Sequence, residues 1–176
     1  MTSAHLEVWS PPLAPADQHL DAGTLREAFG TFPSGVVAVA AEVDGRPVGL
    51  AASSFTSVSL DPPLASFSVA NSSKTWPVLQ RASHLGVTVL ADHHGAVARQ
   101  LAGPVAARFT ALELAISPNG AVTLTDGLTQ FDTAIHREVP AGDHTIVLLR
   151  LHAVCRLTAV SPLVFHRSGF RRLQPL

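Results

Sequence analysis

The chain has 176 residues, of which 47% are hydrophobic and 14% are charged, and its formal net charge is −1. This composition supports one folded domain with a sizeable core. It also leaves more apolar side chains than a small domain readily buries, so we expect a homodimer. A nearly balanced charge without a basic run argues against nucleic acid as the main partner.

Cysteine usage and the amino terminus bear on location. Cys155 is the only cysteine, which excludes an intrachain disulfide and a thiolate metal cage. It lies in the apolar segment 153–157, a setting typical of a buried structural thiol. The first residues lack the pattern of a secretory signal, and no stretch has the ~18 apolar residues of a membrane helix. We therefore predict a cytoplasmic protein without a membrane partner.

The first elements in chain order are an arm and a helix. Residues 1–22 are rich in Pro and Ala and lack periodicity, which predicts an extended amino-terminal arm ahead of one domain at 23–176. Thr24 and Glu27 have the spacing of a capping box at a helix start. The apolar positions of this helix share one face: Leu25, Ala28, Phe29 and Phe32.

The rest of the chain is dominated by strand patterns. Residues 36–43 form an apolar segment, which the hairpin signal Asp44-Gly45 turns into a strand at 48–52. Short helices are expected at 76–82 and 96–102. Further strands are expected at 64–69, 87–90, 105–109, 113–116, 122–124, 128–139, 145–157 and 163–165. Many short strands with few small helices predict a largely antiparallel β-barrel.

Residues 49–64, reading GLAASSFTSVSLDPPL, combine small and hydroxyl side chains. Ala51 and Ala52 add little bulk, while Ser53 and Ser54 offer hydroxyls and main-chain N–H groups to a flat polar ring or an anion. A ligand-contacting loop and a plain Ser-rich connection both fit this composition.

Residues 71–77, reading NSSKTWP, have the parts of a phosphate site. Hydroxyl residues near a helix start can cap it, Pro77 fits the first helical turn, and Lys74 adds a positive charge. A plain capped helix start is the alternative interpretation.

Several other site classes lack their sequence signature. No Rossmann glycine motif, P-loop or serine-hydrolase elbow occurs. The nine histidines do not have the spacing of a metal site, and His93-His94 are merely adjacent, so we predict no metal. His84, His136 and His152 fall in or beside strand patterns and are interpreted as structural.

Six segments occur in the order and spacing of a known family: LREAFGTFPSGV at 25–36, GLAASSFTSVSLDPPL at 49–64, ANSSKTWPVL at 70–79, ARF at 107–109, AGDHTIVLL at 141–149 and PLVFHRSGFRRL at 162–173. Through them the chain resembles the flavin reductase-like proteins of the FMN-binding split-barrel fold. Members include the small reductase components of two-component flavin-dependent monooxygenases.

The resemblance implies a mainly β fold with a few short helices, an antiparallel split β-barrel. It also implies an NAD(P)H:flavin oxidoreductase that transfers hydride from NADH or NADPH to FMN or FAD. Such a protein would supply reduced flavin to a separate monooxygenase or halogenase.

The resemblance also assigns site residues. The segment expected along the isoalloxazine edge is Ala52, Ser53, Ser54 and Phe55. The segment expected to hold the flavin phosphate is Ser72, Ser73, Lys74 and Thr75. His144 is the catalytic candidate, ordering the nicotinamide against the flavin, although a solvated turn histidine would fit the same sequence. His166 is expected either at the flavin or at the barrel rim.

One departure from the family pattern concerns the segment Ala107-Arg108-Phe109. Many members have Asp before the basic residue, and this chain has Ala107, so the contacts of this loop are left open. Two alternative functions also stay open: a split-barrel enzyme that acts on a small metabolite without reductase turnover, and a flavin- or ligand-binding module.

Overall fold

A computed structural model describes residues 20–157 and 160–174. The predicted amino-terminal arm lies outside the described residues except for its last three positions. The predicted domain start at residue 23 falls inside the first helix, which already begins at Ala22.

The described residues contain twelve strands and three α-helices. The strands are β1 Ser34–Gly35, β2 Val37–Val43, β3 Arg46–Ala52, β4 Thr56–Leu60, β5 Pro63–Ala70, β6 Leu85–Val89, β7 Leu114–Ile116, β8 Val122–Leu124, β9 Thr129–Ala141, β10 His144–Arg156, β11 Val164–His166 and β12 Gly169–Arg171. The helices are α1 Ala22–Gly30, α2 Trp76–Leu79 and α3 Gly95–Ala102, with 3-10 turns at Asp92–His94 and Val105–Ala107. None of these helices has the length and apolarity needed to cross a bilayer.

Seven strands form the main sheet in the order β3-β2-β6-β9-β10-β5-β4, beside a three-stranded sheet β1-β11-β12 and the pair β7-β8. Every strand pair is antiparallel, as predicted. The ladder does not connect β3 with β5. Ser54 bridges this gap instead: its hydroxyl accepts from the Ser68 N–H at 2.9 Å and donates to the Ser68 carbonyl at 3.1 Å.

Strand β2 is buried on both faces and joins two cores. Because side chains alternate along a strand, Val37 and Val39 contribute to one core with the central residues of β5, β6 and β10. Ala38, together with Val36 just before the strand, packs on the opposite side with α3 and with Leu163. The continuous apolar run of β2 therefore reflects burial on two sides.

The hairpin predicted at Asp44-Gly45 is confirmed. Val43 pairs with Arg46, and the two turn residues have φ values of 52° and 71°. Positive φ at both central positions is typical of the tight turns whose twist matches that of the flanking strands.

The predicted start of the first helix was wrong. Asp21 caps α1, accepting from the N–H groups of Gly23 at 2.7 Å and Thr24 at 3.0 Å. Thr24 donates its own hydroxyl to Asp21, so it does not form a capping box with Glu27. No residue of α1 is buried in the chain, and Phe29 and Phe32 are 71% and 77% exposed.

Two other expectations also failed, and one strand was missed. The segment 105–109 is a 3-10 helix that continues into a turn. Gln100 donates to the carbonyls of Ala107 and Thr110, both at 2.9 Å, and so takes the place of a strand partner. Strand β12 was not predicted from its three residues. Cys155 is exposed, because the second half of β10 extends beyond its pairing with β5.

Replacing Gly86 by Ala tests the packing between β6 and β8. A Cβ at this position would lie 2.0 Å from the Val122 carbonyl oxygen, which is main chain and cannot rotate away. We expect Gly86→Ala to lower the free energy of unfolding by about 2 kcal/mol or more, measured by urea denaturation. Gly35→Ala is the matched control because its Cβ would meet nothing within 4 Å. Equal stability of the two variants would contradict the described contact.

Candidate functional site

A cleft of about 450 Å³ opens where the end of β3 faces β5 and α3. Its volume is within the range of small-ligand sites. The predicted site residues that line it are Ala52, Ser53, Ser54, Ser73, Thr75 and His144. The structure thus brings together three sequence segments that the resemblance had assigned to one site.

The loop after β3 presents its main chain to the cleft. The N–H groups of residues 53–55 donate no hydrogen bond to another described residue, so they can meet the acceptors of a ligand. The Ser54 hydroxyl, in contrast, is occupied by Ser68. The Phe55 side chain stacks against Phe131 at 6.1 Å between ring centroids, so it anchors the loop to the core.

The segment before α2 contributes hydroxyls, with a small helix dipole. Ser73 accepts from the Trp76 N–H at 3.2 Å, and Thr75 is buried in the wall of the cleft. Helix α2 has only four residues, so few peptide dipoles align in it. Ser72 and Lys74 are exposed and are not among the residues that line the cleft.

Arg108 is a site residue that sequence reasoning did not place. Its Nη1 donates to the Gly49 carbonyl at 2.8 Å and to the Thr75 hydroxyl at 2.9 Å, and its Nε donates to the Gly103 carbonyl at 2.9 Å. All three partners are neutral, and no described carboxylate lies within 4.0 Å of it. A half-buried guanidinium held in this way favours an anion in the cleft.

His144 is held by two neighbours at the opposite wall. Its Nδ1 lies 2.8 Å from Asp143 Oδ1, which leaves Nε2 as the ring atom available to a ligand. Asn71 fixes the turn that carries both residues: its N–H donates to the Asp143 carbonyl at 2.9 Å, and its side-chain amide donates to the Gly142 carbonyl at 3.1 Å. Asn71 begins the segment 71–77, but its positioning role follows only from the fold.

His166 lies at the end of β11, where it pairs with Gly169 across a two-residue turn. It is half-buried and is not among the residues that line the cleft. Its assignment to the flavin or to the rim stays a prediction.

Two histidine groups lie away from the cleft. His84 contacts Asp132, and its ring is 5.0 Å from that of His152. In the other group, the ligand atoms of His93, His94 and Asp126 lie within 4.8 Å of one another. Both arrangements depend on contacts far apart in sequence.

The group at Asp126 has the chemistry of a charge network. His94 Nδ1 accepts from the Ala91 N–H at 3.0 Å, so in the neutral ring the proton sits on Nε2 and blocks that atom as a metal ligand. Nε2 lies 3.0 Å from Asp126 Oδ1, but off the line of a hydrogen bond. Burial alone would raise the pKa of Asp126. The contacts with His94 and His93 outweigh this effect, so the pKa of Asp126 lies below its ordinary value. The absence of a metal stays a prediction.

Comparison with known proteins identifies the family. Residues 29–174 match the family described as flavin reductase like domain. A flavin reductase of Pseudomonas putida is 36% identical over 86% of this chain and 89% of its own length. The stachydrine N-demethylase reductase subunit of Rhizobium meliloti is also 36% identical, over 85% of this chain, which spans only 65% of that relative.

A solved structure shares the fold. The NADH:FAD oxidoreductase of Streptomyces globisporus, in complex with NAD and FAD fragments, is 33% identical and has a TM-score of 0.83 over 88% of this chain and 94% of its own. These matches confirm the predicted fold and the predicted class of flavin reductases. The chain belongs to the flavin reductase-like family.

Proposed function

We propose that this protein is an NAD(P)H:flavin oxidoreductase that reduces FMN or FAD. The observation that carries the proposal is the convergence of Ser53, Ser54, Thr75, Arg108 and His144 on one cleft. Its donors suit the carbonyl and ring-nitrogen acceptors of an isoalloxazine, and its cation suits a phosphate. The flavin, when bound, supplies the redox chemistry by accepting hydride from the nicotinamide.

In this proposal, the residues of the chain bind the flavin and position the nicotinamide against it. Arg108 and Thr75 hold the flavin phosphate, and Ser73 and Lys74 extend the site toward solvent. The N–H groups of residues 53–55 fix the ring edge. His144, held by Asp143, orders the nicotinamide against the ring, so no protein nucleophile is required.

We also propose that reduced flavin passes to a separate oxygenase, in keeping with the relative that is the reductase subunit of an N-demethylase. The cleft opens to solvent at its Ser53 side, since Ser53 and Ser54 are exposed. A cytoplasmic location is part of the same proposal.

Flavin binding is tested by titrating FMN and FAD while following flavin fluorescence. Arg108→Gln should weaken binding by roughly tenfold or more, because it loses a charge-assisted phosphate contact. Lys74→Ala should weaken it less, because Lys74 is exposed and lies outside the cleft lining. Arg46→Ala is the control, six residues along β3 from Ala52 and so roughly 20 Å away. No fluorescence change with either flavin at tens of micromolar would remove the proposal.

The role of His144 is tested by steady-state kinetics with saturating flavin. Positioning of the nicotinamide predicts that His144→Ala lowers kcat/KM for the coenzyme by roughly tenfold, while flavin affinity changes little. His136→Ala, an exposed histidine on β9, is the matched control. Equal losses of flavin binding and turnover would place His144 at the flavin instead.

The protein is further proposed to be a homodimer, because large apolar side chains remain uncovered within one chain. They include Phe29, Phe32, Leu60, Val154 and Leu157. Val154 lies in the end of β10 that has no β5 partner, and Leu157 directly follows this strand. Light scattering at micromolar concentration should give the mass of two chains, and the mass of one chain would contradict the proposal.

A further inference from the structure

Two cavities lie beside α1, and one of them adjoins the cleft. One, of about 430 Å³, lies between the end of α1 and the turn joining β11 to β12. The other, of about 410 Å³, lies between the exposed face of α1 and the loop after β3. The two share Arg26, Gly30 and Ser168, and the second reaches Ser53 and Ser54 in the cleft wall. The lining residues of the two cavities thus connect the cleft wall to α1, and we call this surface the path.

Two arginines line this path. Arg26 lies on α1 and borders both cavities, and Arg167 borders the first. Neither has a carboxylate within 4.0 Å in the described parts of the chain. The charge of Arg26 nevertheless reaches the turn that carries His144. The pKa of Asp143 is lowered mainly by its hydrogen bond and charge interaction with His144, and the charge of Arg26 adds to this effect.

The backbone at Arg167 is held in an unfavourable conformation. Arg167 and Ser168 have φ values of 48° and 57°, at the two central positions of a tight turn where Asn and Gly are preferred. The Arg167 N–H donates to the Gly30 carbonyl at 2.9 Å, which fixes the turn against the end of α1. A turn serving structure alone gains nothing from an arginine here, so the observed strain indicates a role for its side chain.

We propose that Arg26 and Arg167 bind the pyrophosphate of the nicotinamide coenzyme, an inference that rests on the proposed reductase function. Guanidinium groups pair bidentately with phosphate oxygens. Arg26 also borders the cavity that reaches Ser53 and Ser54, so it meets the phosphates nearest the nicotinamide. The pyrophosphate is common to NADH and NADPH, and the two arginines therefore serve either coenzyme equally.

The variants Arg26→Ala and Arg167→Asn test the proposal. Asn tolerates the left-handed conformation better than Arg, so Arg167→Asn should melt at the same temperature as the parent or higher. The coenzyme KM should nevertheless rise roughly tenfold in each variant, for NADH and NADPH alike. Flavin Kd should stay within about twofold, and Arg46→Ala should match the parent in every measurement.

Calorimetric titration with ADP-ribose supplies a readout independent of turnover, because ADP-ribose carries the pyrophosphate without the nicotinamide. Its Kd should rise roughly tenfold in both variants. Unchanged KM and ADP-ribose affinity would overturn the inference, as would an effect confined to NADPH or an equal loss of flavin affinity. A parent protein that neither binds flavin nor oxidises NAD(P)H would refute the reductase proposal, and the ADP-ribose affinities would still decide the role of the arginines.

Discussion

The gap between β3 and β5 is the constraint on which the site depends. Main-chain groups at a sheet edge need partners, and here a single hydroxyl, that of Ser54, bridges the two segments. The N–H groups of the neighbouring loop have no partner among the described residues, so a ligand in the cleft can satisfy them. A continuous ladder at this point would leave no room for an isoalloxazine edge.

The two-sided burial of β2 makes this gap rigid. One face of β2 belongs to the core of the main sheet, and the other packs against α3, whose residues Leu101 and Ala102 line the cleft. Gly49 on β3 allows close packing by Phe109, since a Cβ there would lie 2.7 Å from the Phe109 ring. This packing brings Arg108, the residue before Phe109, to the Gly49 carbonyl. Core packing and the anion site are thus parts of one arrangement.

Local patterns were sufficient to predict the long elements. The alternation of β5 and the Asp44-Gly45 turn predicted their structures because both depend on neighbours in sequence. Two expectations failed because another nearby residue makes the decisive hydrogen bonds. Asp21 caps α1 in place of Thr24, and the Gln100 side chain binds the carbonyls of the segment 105–109, which therefore does not form a strand. Arg108 and Asn71 could not be assigned from sequence, since their roles depend on partners that only the fold brings near.

The charges of the site are separated along the path, and this separation matches the chemistry of hydride transfer. Arg108 and His144 line the cleft, whereas Arg26 and Arg167 border the cavities beside α1, which reach the cleft wall at Ser53 and Ser54. Two ligands that each carry phosphate can then be held by their charged ends while their flat rings meet in the middle. Since hydride transfer needs ring alignment and no protein nucleophile, binding at the two ends supplies much of the required orientation. The uncharged walls around Ser53 and Ala52 leave the space between the rings free of competing ion pairs.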